Sequence, residues 1–242
     1  MHRCQGKRYW LIGASEGLGR ALAHEMSAAG AELFLSARST GRLNSLVAEL
    51  PGKAYAYPVD VTDRMAVKAI KEQIGDLDGL VYLAGVYWPM RAQEWNSELV
   101  ELMGQINFSG GLNAVGAVIS DMIDHDDGHI ILTGSLSGFR GLSGAVGYGA
   151  SKAGLMYFAE GLHADLRKTG VHVQLVNPGF IKTRLTDKNN FPMPFIMTPE
   201  AAAKQMFLHM NSNRFKVSFP KMFSWVFRFS QFLPDWLYYR IF

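Results

Sequence analysis

The chain has 242 residues, 48% of them hydrophobic and 19% charged, with a formal net charge of +3 and one cysteine. This length and apolar fraction suit one large domain with a filled core, and they exclude a globally disordered chain. The small net charge, without a lysine or arginine run, argues against nucleic-acid binding, and no run of about 18 apolar residues predicts a membrane-spanning helix.

Short β-rich apolar runs alternate with longer segments of helical spacing along the chain. Strands are predicted at residues 9–12, 32–36, 54–58, 80–83, 129–133 and 171–176. Helices are predicted at residues 18–29, 41–50, 64–74, from 98 past 108, and at 148–168, with another beginning at the Thr198-Pro199 cap. Six alternating units predict a doubly wound α/β domain, a mostly parallel sheet with helices on both faces.

The first predicted strand turns into the first helix through a glycine-rich loop, G-A-S-E-G-L-G at residues 13–19. Gly13, Gly17 and Gly19 let the backbone turn sharply and approach a pyrophosphate, which free amides at the helix start stabilise. Ser15 and Leu18 lie within the same loop. The loop therefore indicates a dinucleotide site, although a tight turn can also need glycine for structural reasons alone.

A Y-x-x-x-K pair, Tyr148 and Lys152, opens the helix predicted at residues 148–168. Residues four apart on a helix share one face, so the phenol and the ammonium lie on the same side. A lysine cation favours the phenolate and brings the tyrosine pKa, about 10 in the free side chain, closer to neutral pH. The pair is a candidate acid/base group, although this spacing also arises by chance in helices.

The glycine loop and the Y-x-x-x-K pair together resemble the classical short-chain dehydrogenase/reductase family, over roughly residues 7–210. The chain departs from that family at Ile12, where threonine is usual, and at Tyr82 and Leu83, where two asparagines are usual. The resemblance implies a Rossmann-type fold, a nicotinamide dinucleotide, and hydride transfer between the nicotinamide and a carbonyl or alcohol carbon. It also implies a homodimer or homotetramer.

The same resemblance implies roles for individual residues. Tyr148 would donate the proton in reduction, and Ser135 would hydrogen-bond the substrate oxygen. Lys152 would bind the nicotinamide ribose and lower the tyrosine pKa, and Asn107 would hold a proton-relaying water. Ser137 in place of Ser135 and a helix-bending role for Asn107 are open alternatives. The further cofactor contacts implied by the family's motifs are Asp60, Val61, Ala84, Gly85, Tyr148, Lys152, Pro178, Gly179, Ile181 and Thr183; Asp60 alternatively caps the turn that follows it.

The end of the second strand distinguishes the two nicotinamide cofactors. An acid there commonly holds the ribose 2′-hydroxyl of NAD, whereas a 2′-phosphate requires a cation and no nearby carboxylate. Ala37 stands at that acid's position and Arg38 follows it, so we predict NADP(H) rather than NAD(H). Ser15 and Ser39 are further candidate phosphate donors. The alternative is that Arg38 is an ordinary solvent-exposed loop residue.

Two segments outside these motifs concern the substrate and the partners. Residues 184–199 are rich in Phe, Met and Pro. This composition predicts an apolar lid over a hydrophobic carbonyl or alcohol substrate. The alternative is that these side chains only cover the core. Residues 214–242 form a basic, aromatic-rich extension of the 1–213 domain, with five basic residues against one acid. Its helical spacing leaves a broad apolar face, for packing on protein or for peripheral contact with an anionic membrane. The narrow polar stripe comprises Lys221, Ser224, Arg228 and Gln231.

The sequence therefore predicts an NADP(H)-dependent oxidoreductase that interconverts a carbonyl and a secondary alcohol on a hydrophobic substrate. A catalytically silent dinucleotide-binding regulator and a membrane-peripheral lipid reductase are the alternatives; intact Ser135, Tyr148 and Lys152 argue against the silent regulator. Because Cys4 has no partner for an internal disulfide and residues 1–10 lack the features of a secretory signal, we expect a cytoplasmic protein. No metal-binding residue is assigned.

Overall fold

The computed structural model describes residues 3–241 and contains one seven-stranded parallel sheet. Its strands are β1 Arg8–Ile12, β2 Glu32–Ser36, β3 Ala54–Ala56, β4 Gly79–Tyr82, β5 Gly128–Thr133, β6 Val171–Pro178 and β7 Lys216–Phe219. They lie in the order β3-β2-β1-β4-β5-β6-β7. The chain therefore winds one way from β1 and the other way from β4, and the predicted doubly wound fold is confirmed. This reversal leaves a crevice at the carboxyl ends of the strands.

Helices cover both faces of the sheet. They are α1 Gly17–Ala28, α2 Thr40–Glu49, α3 Arg64–Ile74, α4 Ser97–Gly104, α5 Gly110–Asp124, α6 Val146–Leu166, α7 Pro199–Met210, α8 Lys221–Ser230 and α9 Asp235–Ile241. A π-helical turn, Gln105–Ser109, joins α4 to α5. The predicted cap of α7 is present, since the Thr198 side chain accepts a hydrogen bond from the Ala201 amide. In the described range, no helix combines the length and the apolar character that a bilayer crossing requires.

Two apolar layers, one on each face, form the core. Side chains of β1 alternate between them, because successive strand residues point to opposite faces. Leu11 belongs to the layer with α1 and α7, whereas Trp10 and Ile12 belong to the layer with α3, α5 and α6. All three are fully buried. A parallel sheet covered on both faces needs such continuous apolar strands, which is why the sequence predicts β1 clearly.

The strand β7 is absent from the sequence prediction. It pairs with β6 in parallel, in register from Leu175 with Lys216 to Pro178 with Phe219. Four residues reading K-V-S-F carry too short a pattern to distinguish an edge strand from a loop. Residues 216–219 thus belong to the sheet, and the sheet continues into the segment that the sequence analysis described as an extension.

A polar cluster centred on His129 is buried in the sheet. His129 Nε2 lies 2.9 Å from Gln174 Oε1, and His129 Nδ1 lies 2.8 Å from the Tyr9 hydroxyl. The amide nitrogen of Gln174 donates to the main-chain carbonyls of residues 209, 212 and 214, so its Oε1 accepts the proton on His129 Nε2. His129 is therefore a neutral imidazole that accepts from Tyr9. Burial lowers the pKa of His129 to about 3.

We expect the free energy of unfolding to decrease as the pH falls from 6.5 towards 3. Between these values the unfolded state binds a proton at His129 and the folded state does not, so acid favours unfolding. The slope contributed by this group is at most about 1.4 kcal/mol per pH unit. Thermal and urea unfolding at several pH values measures it. The control is His129→Gln, which has no titrating group and should lose less stability in acid; equal slopes would contradict the assignment.

Candidate active site

A large cleft opens at the carboxyl ends of the strands, where the strand order reverses. Its volume of about 1770 Å³ exceeds the roughly 300–1000 Å³ typical of a pocket for one small ligand. All residues assigned to the cofactor and three of the four assigned to catalysis line it; Asn107 lies behind the wall. The lining residues among them are Gly13, Ser15, Gly17, Leu18, Gly19, Arg38, Asp60, Val61, Ala84, Gly85, Ser135, Tyr148, Lys152, Pro178, Gly179, Ile181 and Thr183.

The glycine loop has the close backbone approaches that a dinucleotide site requires. Gly13 and Gly17 have φ angles of +94° and +54°, in the region that side-chain-bearing residues rarely adopt. A Cβ on Gly13 would lie 2.5 Å from the Ala84 nitrogen, and one on Gly19 would lie 2.1 Å from the Gly13 carbonyl oxygen. Helix α1 begins here with no side-chain hydrogen bond at its cap residue, Glu16. Such a helix start fits an anionic pyrophosphate.

Arginine side chains gather beside the end of β2. Arg38 is exposed and lines the cleft after Ala37, and Arg42 in the first turn of α2 lines it as well. Glu16 Oε2 accepts from Arg42 Nη1 at 2.5 Å, while Glu16 Oε1 accepts from Arg184 Nη2 at 2.7 Å. Neither Arg42 nor Glu16 was predicted from the sequence as a site residue. The position of Arg42 in the first turn of the predicted helix, four residues after Arg38, was the available signal for a second cation at this site.

Two positions near the cofactor motifs have structural partners. Asp60 Oδ1 accepts from the Thr62 amide at 2.9 Å and from the Thr62 hydroxyl at 2.8 Å, so the turn-capping role left open for Asp60 is present. The Tyr82 hydroxyl, at a position where the family usually has asparagine, donates to the Ile106 carbonyl at 2.5 Å. That bond ties β4 to the π-helical turn, so a buried phenol links these two segments.

Ser135, Tyr148 and Lys152 meet on one wall of the cleft. Helix α6 carries Tyr148 and Lys152 one turn apart, and Lys152 Nζ lies 6.0 Å from the centre of the tyrosine ring. The ammonium is buried and donates to the Thr133 carbonyl at 2.9 Å. Ser135, just past β5, lies close enough to Tyr148 to lower the pKa of that phenol. Ser137 Oγ donates to Ser135 Oγ at 2.9 Å, which leaves the Ser135 hydroxyl proton available for the phenol or a ligand.

Burial controls the protonation of this pair. It raises the pKa of Tyr148 to about 12, in spite of the lowering effect of the Ser135 hydrogen bond. It lowers the pKa of Lys152 to about 8, because burial disfavours the charged ammonium. The expected lowering of the tyrosine pKa by the lysine is therefore outweighed within this chain. At neutral pH the phenol keeps its proton and most of the lysine is charged, which suits proton donation to a ligand oxygen.

Asn107 lies in the π-helical turn and is fully buried. Its Oδ1 accepts from the Val86 amide at 2.7 Å, and its Nδ2 donates to the Val86 carbonyl at 2.9 Å and to Ser151 Oγ at 3.0 Å. A Cβ on Gly85 would lie 3.4 Å from Asn107 Oδ1 and 3.6 Å from Lys152 Nζ. The side chain thus fastens the loop after β4 to α6 next to Lys152. Its water-holding role stays a prediction.

The loop after β4 and residues 184–199 line the cleft as well. Tyr87 packs edge-on against Tyr148, with ring centroids 4.9 Å apart. Lys188 Nζ donates to the Tyr87 carbonyl at 2.8 Å and lies 4.1 Å from the centre of the Trp88 ring. These contacts join the two segments across the cleft. No sequence motif marked Tyr87 or Lys188, since only the tertiary arrangement of the loops brings them to the site.

Known proteins resemble this chain in both sequence and fold. The sequence model of a family described as short chain dehydrogenase matches residues 7–193. An uncharacterized oxidoreductase of Myxococcus xanthus (strain DK1622) is 37% identical over 235 residues, 94% of this chain and 93% of that protein. The 3-oxoacyl-(acyl-carrier-protein) reductase of Escherichia coli (strain K12) is 32% identical over 191 residues, 75% of this chain and 76% of that protein. A short-chain dehydrogenase from Sphingobium yanoikuyae in complex with NADPH superposes with a TM-score of 0.82 at 24% identity, covering 89% of this chain and 88% of that chain.

Proposed function

The chain belongs to the short-chain dehydrogenase family and is an oxidoreductase, and on that premise we propose that it is an NADP(H)-dependent enzyme that interconverts a carbonyl and a secondary alcohol on a hydrophobic substrate. The observation that carries this proposal is the shared wall of Ser135, Tyr148 and Lys152 facing a glycine-lined cleft. The E. coli relative, a reductase, supports carbonyl chemistry. A silent regulator has no physical need for all three side chains.

In the reductive direction, these residues act on the oxygen of the substrate carbonyl. A reduced nicotinamide, when bound in this cleft, would supply the hydride for the carbonyl carbon. Ser135 donates a hydrogen bond to the oxygen, and Tyr148 Oη transfers its proton there as the C=O π pair becomes an oxygen lone pair. Lys152 holds the cofactor ribose and stabilises the phenolate that is left. The proton lost by Tyr148 returns from solvent through Lys152 and the water proposed beside Asn107.

The proposed cofactor preference for NADP(H) rests on charge at the end of β2. Arg38 and Arg42 line the cleft, and Ala37 contributes no carboxylate; the Glu16 carboxylate that also lines the cleft is paired with Arg42 and Arg184. Ser15 and Ser39 also line the cleft and are the proposed hydroxyl donors to a 2′-phosphate. The NADPH bound to the S. yanoikuyae protein is consistent with this choice.

The proposed setting is a reducing, cytoplasmic one. Cys4 is a buried free thiol in the described range, and burial raises its pKa, so it is poorly reactive there. Assembly into a homodimer or homotetramer also stays a proposal from the family. Multi-angle light scattering of the purified protein measures its mass directly.

We expect long-chain or aromatic ketones to be reduced with a kcat/KM at least about tenfold higher than small charged ketones. The cleft wall carries several phenylalanines, among them Phe180 and Phe191, whose ring centroids lie 6.0 Å apart. Apolar substrate carbons buried against these rings stabilise the complex. Rates of NADPH oxidation with a panel of ketones test both the activity and this order. Phe191→Ser should narrow the advantage of long chains, and faster turnover of small charged ketones would contradict the proposal.

A further inference from the structure

Helices α8 and α9 expose large apolar side chains. Within the described residues, eight of the 18 large hydrophobic side chains that are exposed fall between positions 222 and 241. We name this surface the C-terminal apolar patch; it comprises Met222, Trp225, Val226, Phe229, Phe232, Trp236, Tyr239 and Ile241. A concentration of this kind is unusual for a surface that faces only water.

The exposed side chains of α8 lie on one face of the helix. Met222, Trp225, Val226 and Phe229 are spaced by three, one and three residues, the spacing of a single helical stripe. The opposite face packs on the protein through Ser224 and Phe227, both buried. The predicted polar stripe is therefore wrong at Ser224, which is buried and does not face solvent. The helix thus buries Ser224 and Phe227 and leaves four other large apolar side chains exposed.

Specific contacts hold the two helices in this orientation. Arg140 Nη1 donates to the Ser230 and Leu233 carbonyls, each at 2.7 Å. The Arg140 guanidinium also lies 4.0 Å from the centre of the Tyr238 ring, and the Tyr238 hydroxyl donates to the Gly141 carbonyl at 2.8 Å. The outward apolar face is thus built into the fold, and it is attached to the segment that follows Ser135.

The charge around the patch is positive. Residues 221–241 contain Lys221, Arg228 and Arg240 against one acid, Asp235, which already pairs with Arg140. An isologous contact between two copies would put this positive segment against itself, and residues 221–241 offer no unpaired acid to match its cations. An anionic lipid surface offers the complementary charge. The tryptophan and tyrosine side chains of the patch are the types that favour the boundary between water and lipid.

We propose that the C-terminal apolar patch binds peripherally to the surface of an anionic lipid bilayer. The patch adjoins the cleft, because Ile241 of the patch also lines the cleft, together with Phe223 and Phe227. Phe223 packs against Phe195 of the 184–199 loop, with ring centroids 5.9 Å apart. Docking brings the cleft next to the lipid. Substrate uptake from the bilayer rests on the proposed function. If that function holds, the site takes its hydrophobic carbonyl or alcohol substrate from the bilayer.

Co-sedimentation with vesicles of phosphatidylcholine alone and of phosphatidylcholine with phosphatidylglycerol tests the docking. We expect the full chain to bind the anionic vesicles, with a partition coefficient that falls as salt is added. Trp225→Ser combined with Phe229→Ser should lower that coefficient by about tenfold or more. The control is Met65→Ser, which removes an even more exposed apolar side chain from α3, outside the patch.

A second variant keeps the test decisive if the first one unfolds. Lys221→Gln combined with Arg228→Gln leaves the apolar side chains in place and should weaken binding to anionic vesicles about tenfold or more. A wild-type chain that stays in the supernatant with anionic vesicles would overturn the proposal. Full vesicle binding by the Trp225→Ser/Phe229→Ser variant would also overturn it. The same holds if that double substitution only dissociates a dimer, so that the mass of the protein in solution is halved and vesicle binding is unchanged. Turnover of a water-soluble ketone with NADPH, measured on the same samples, tests the proposed function separately.

Discussion

Replacing Tyr148 by phenylalanine is expected to lower kcat for carbonyl reduction by about 10²–10⁴-fold, the range for loss of a general acid. The phenylalanine ring fills the same space against Tyr87, 4.9 Å away between centroids, but has no proton to transfer. Lys152 and the glycine loop are untouched, so the KM for NADPH should change little. Steady-state rates of NADPH oxidation with an accepted ketone provide the measurement.

Tyr87→Phe is the matched control for this experiment. It removes a neighbouring phenol from the same cleft, where burial also raises the tyrosine pKa, but the proposed reaction does not use its proton. Its rate should stay near that of the wild type. If Tyr148→Phe retained turnover within a factor of about two, or if both variants lost the same activity, Tyr148 would not be the proton donor. Thermal unfolding of both variants checks that the fold is intact.

The substitution Ala37→Asp is expected to change the ratio of kcat/KM for NADPH to that for NADH by about 10²–10³ in favour of NADH. A carboxylate at the end of β2 repels a 2′-phosphate and accepts a hydrogen bond from a 2′-hydroxyl. Two like unit charges about 4 Å apart repel by roughly 4 kcal/mol at an effective dielectric constant of 20. Screening by water at this half-open position lowers that figure.

Ala37→Asn separates charge from bulk in this test, because its amide has nearly the shape of the carboxylate and no charge. The amide variant should keep its preference for NADPH. In Arg38→Gln, loss of one phosphate partner should weaken NADPH binding about tenfold while NADH binding changes little. Initial rates with both cofactors measure all three variants. An Ala37→Asp protein that still prefers NADPH, or an amide variant that reverses the preference equally, would contradict the proposed phosphate site.

The predicted and observed folds agree where the local pattern is long and unambiguous. The strands β1 to β6 were predicted to within about two residues at each end. Most of them are buried parallel strands, which are continuous apolar runs bounded by turn residues. The strand β7 was missed. Its four residues carry no clear strand pattern, and it is a strand because it pairs with β6. Helix α4, the π-helical turn and α5 were predicted only as one helix of undefined end.

For the site, motif residues were predictable and their neighbours were not. The loop at residues 13–19 and the pair Tyr148 and Lys152 depend on spacing along one or two elements, which sequence displays directly. Tyr87 and Thr133 reach the cleft from separate segments, so only the folded chain shows that they contact it.

The sequence by itself determined which residues share a helix face or follow a strand, because the periods of helices and strands depend only on spacing along the chain. Tertiary structure alone decided the environment of each face. It places a partly buried Tyr148 beside a buried Lys152, where loss of hydration moves their pKa values in opposite directions. It also turns Ser224 inward and Trp225 outward on α8. These outcomes depend on burial and on contacts with distant segments, and no local pattern contains either.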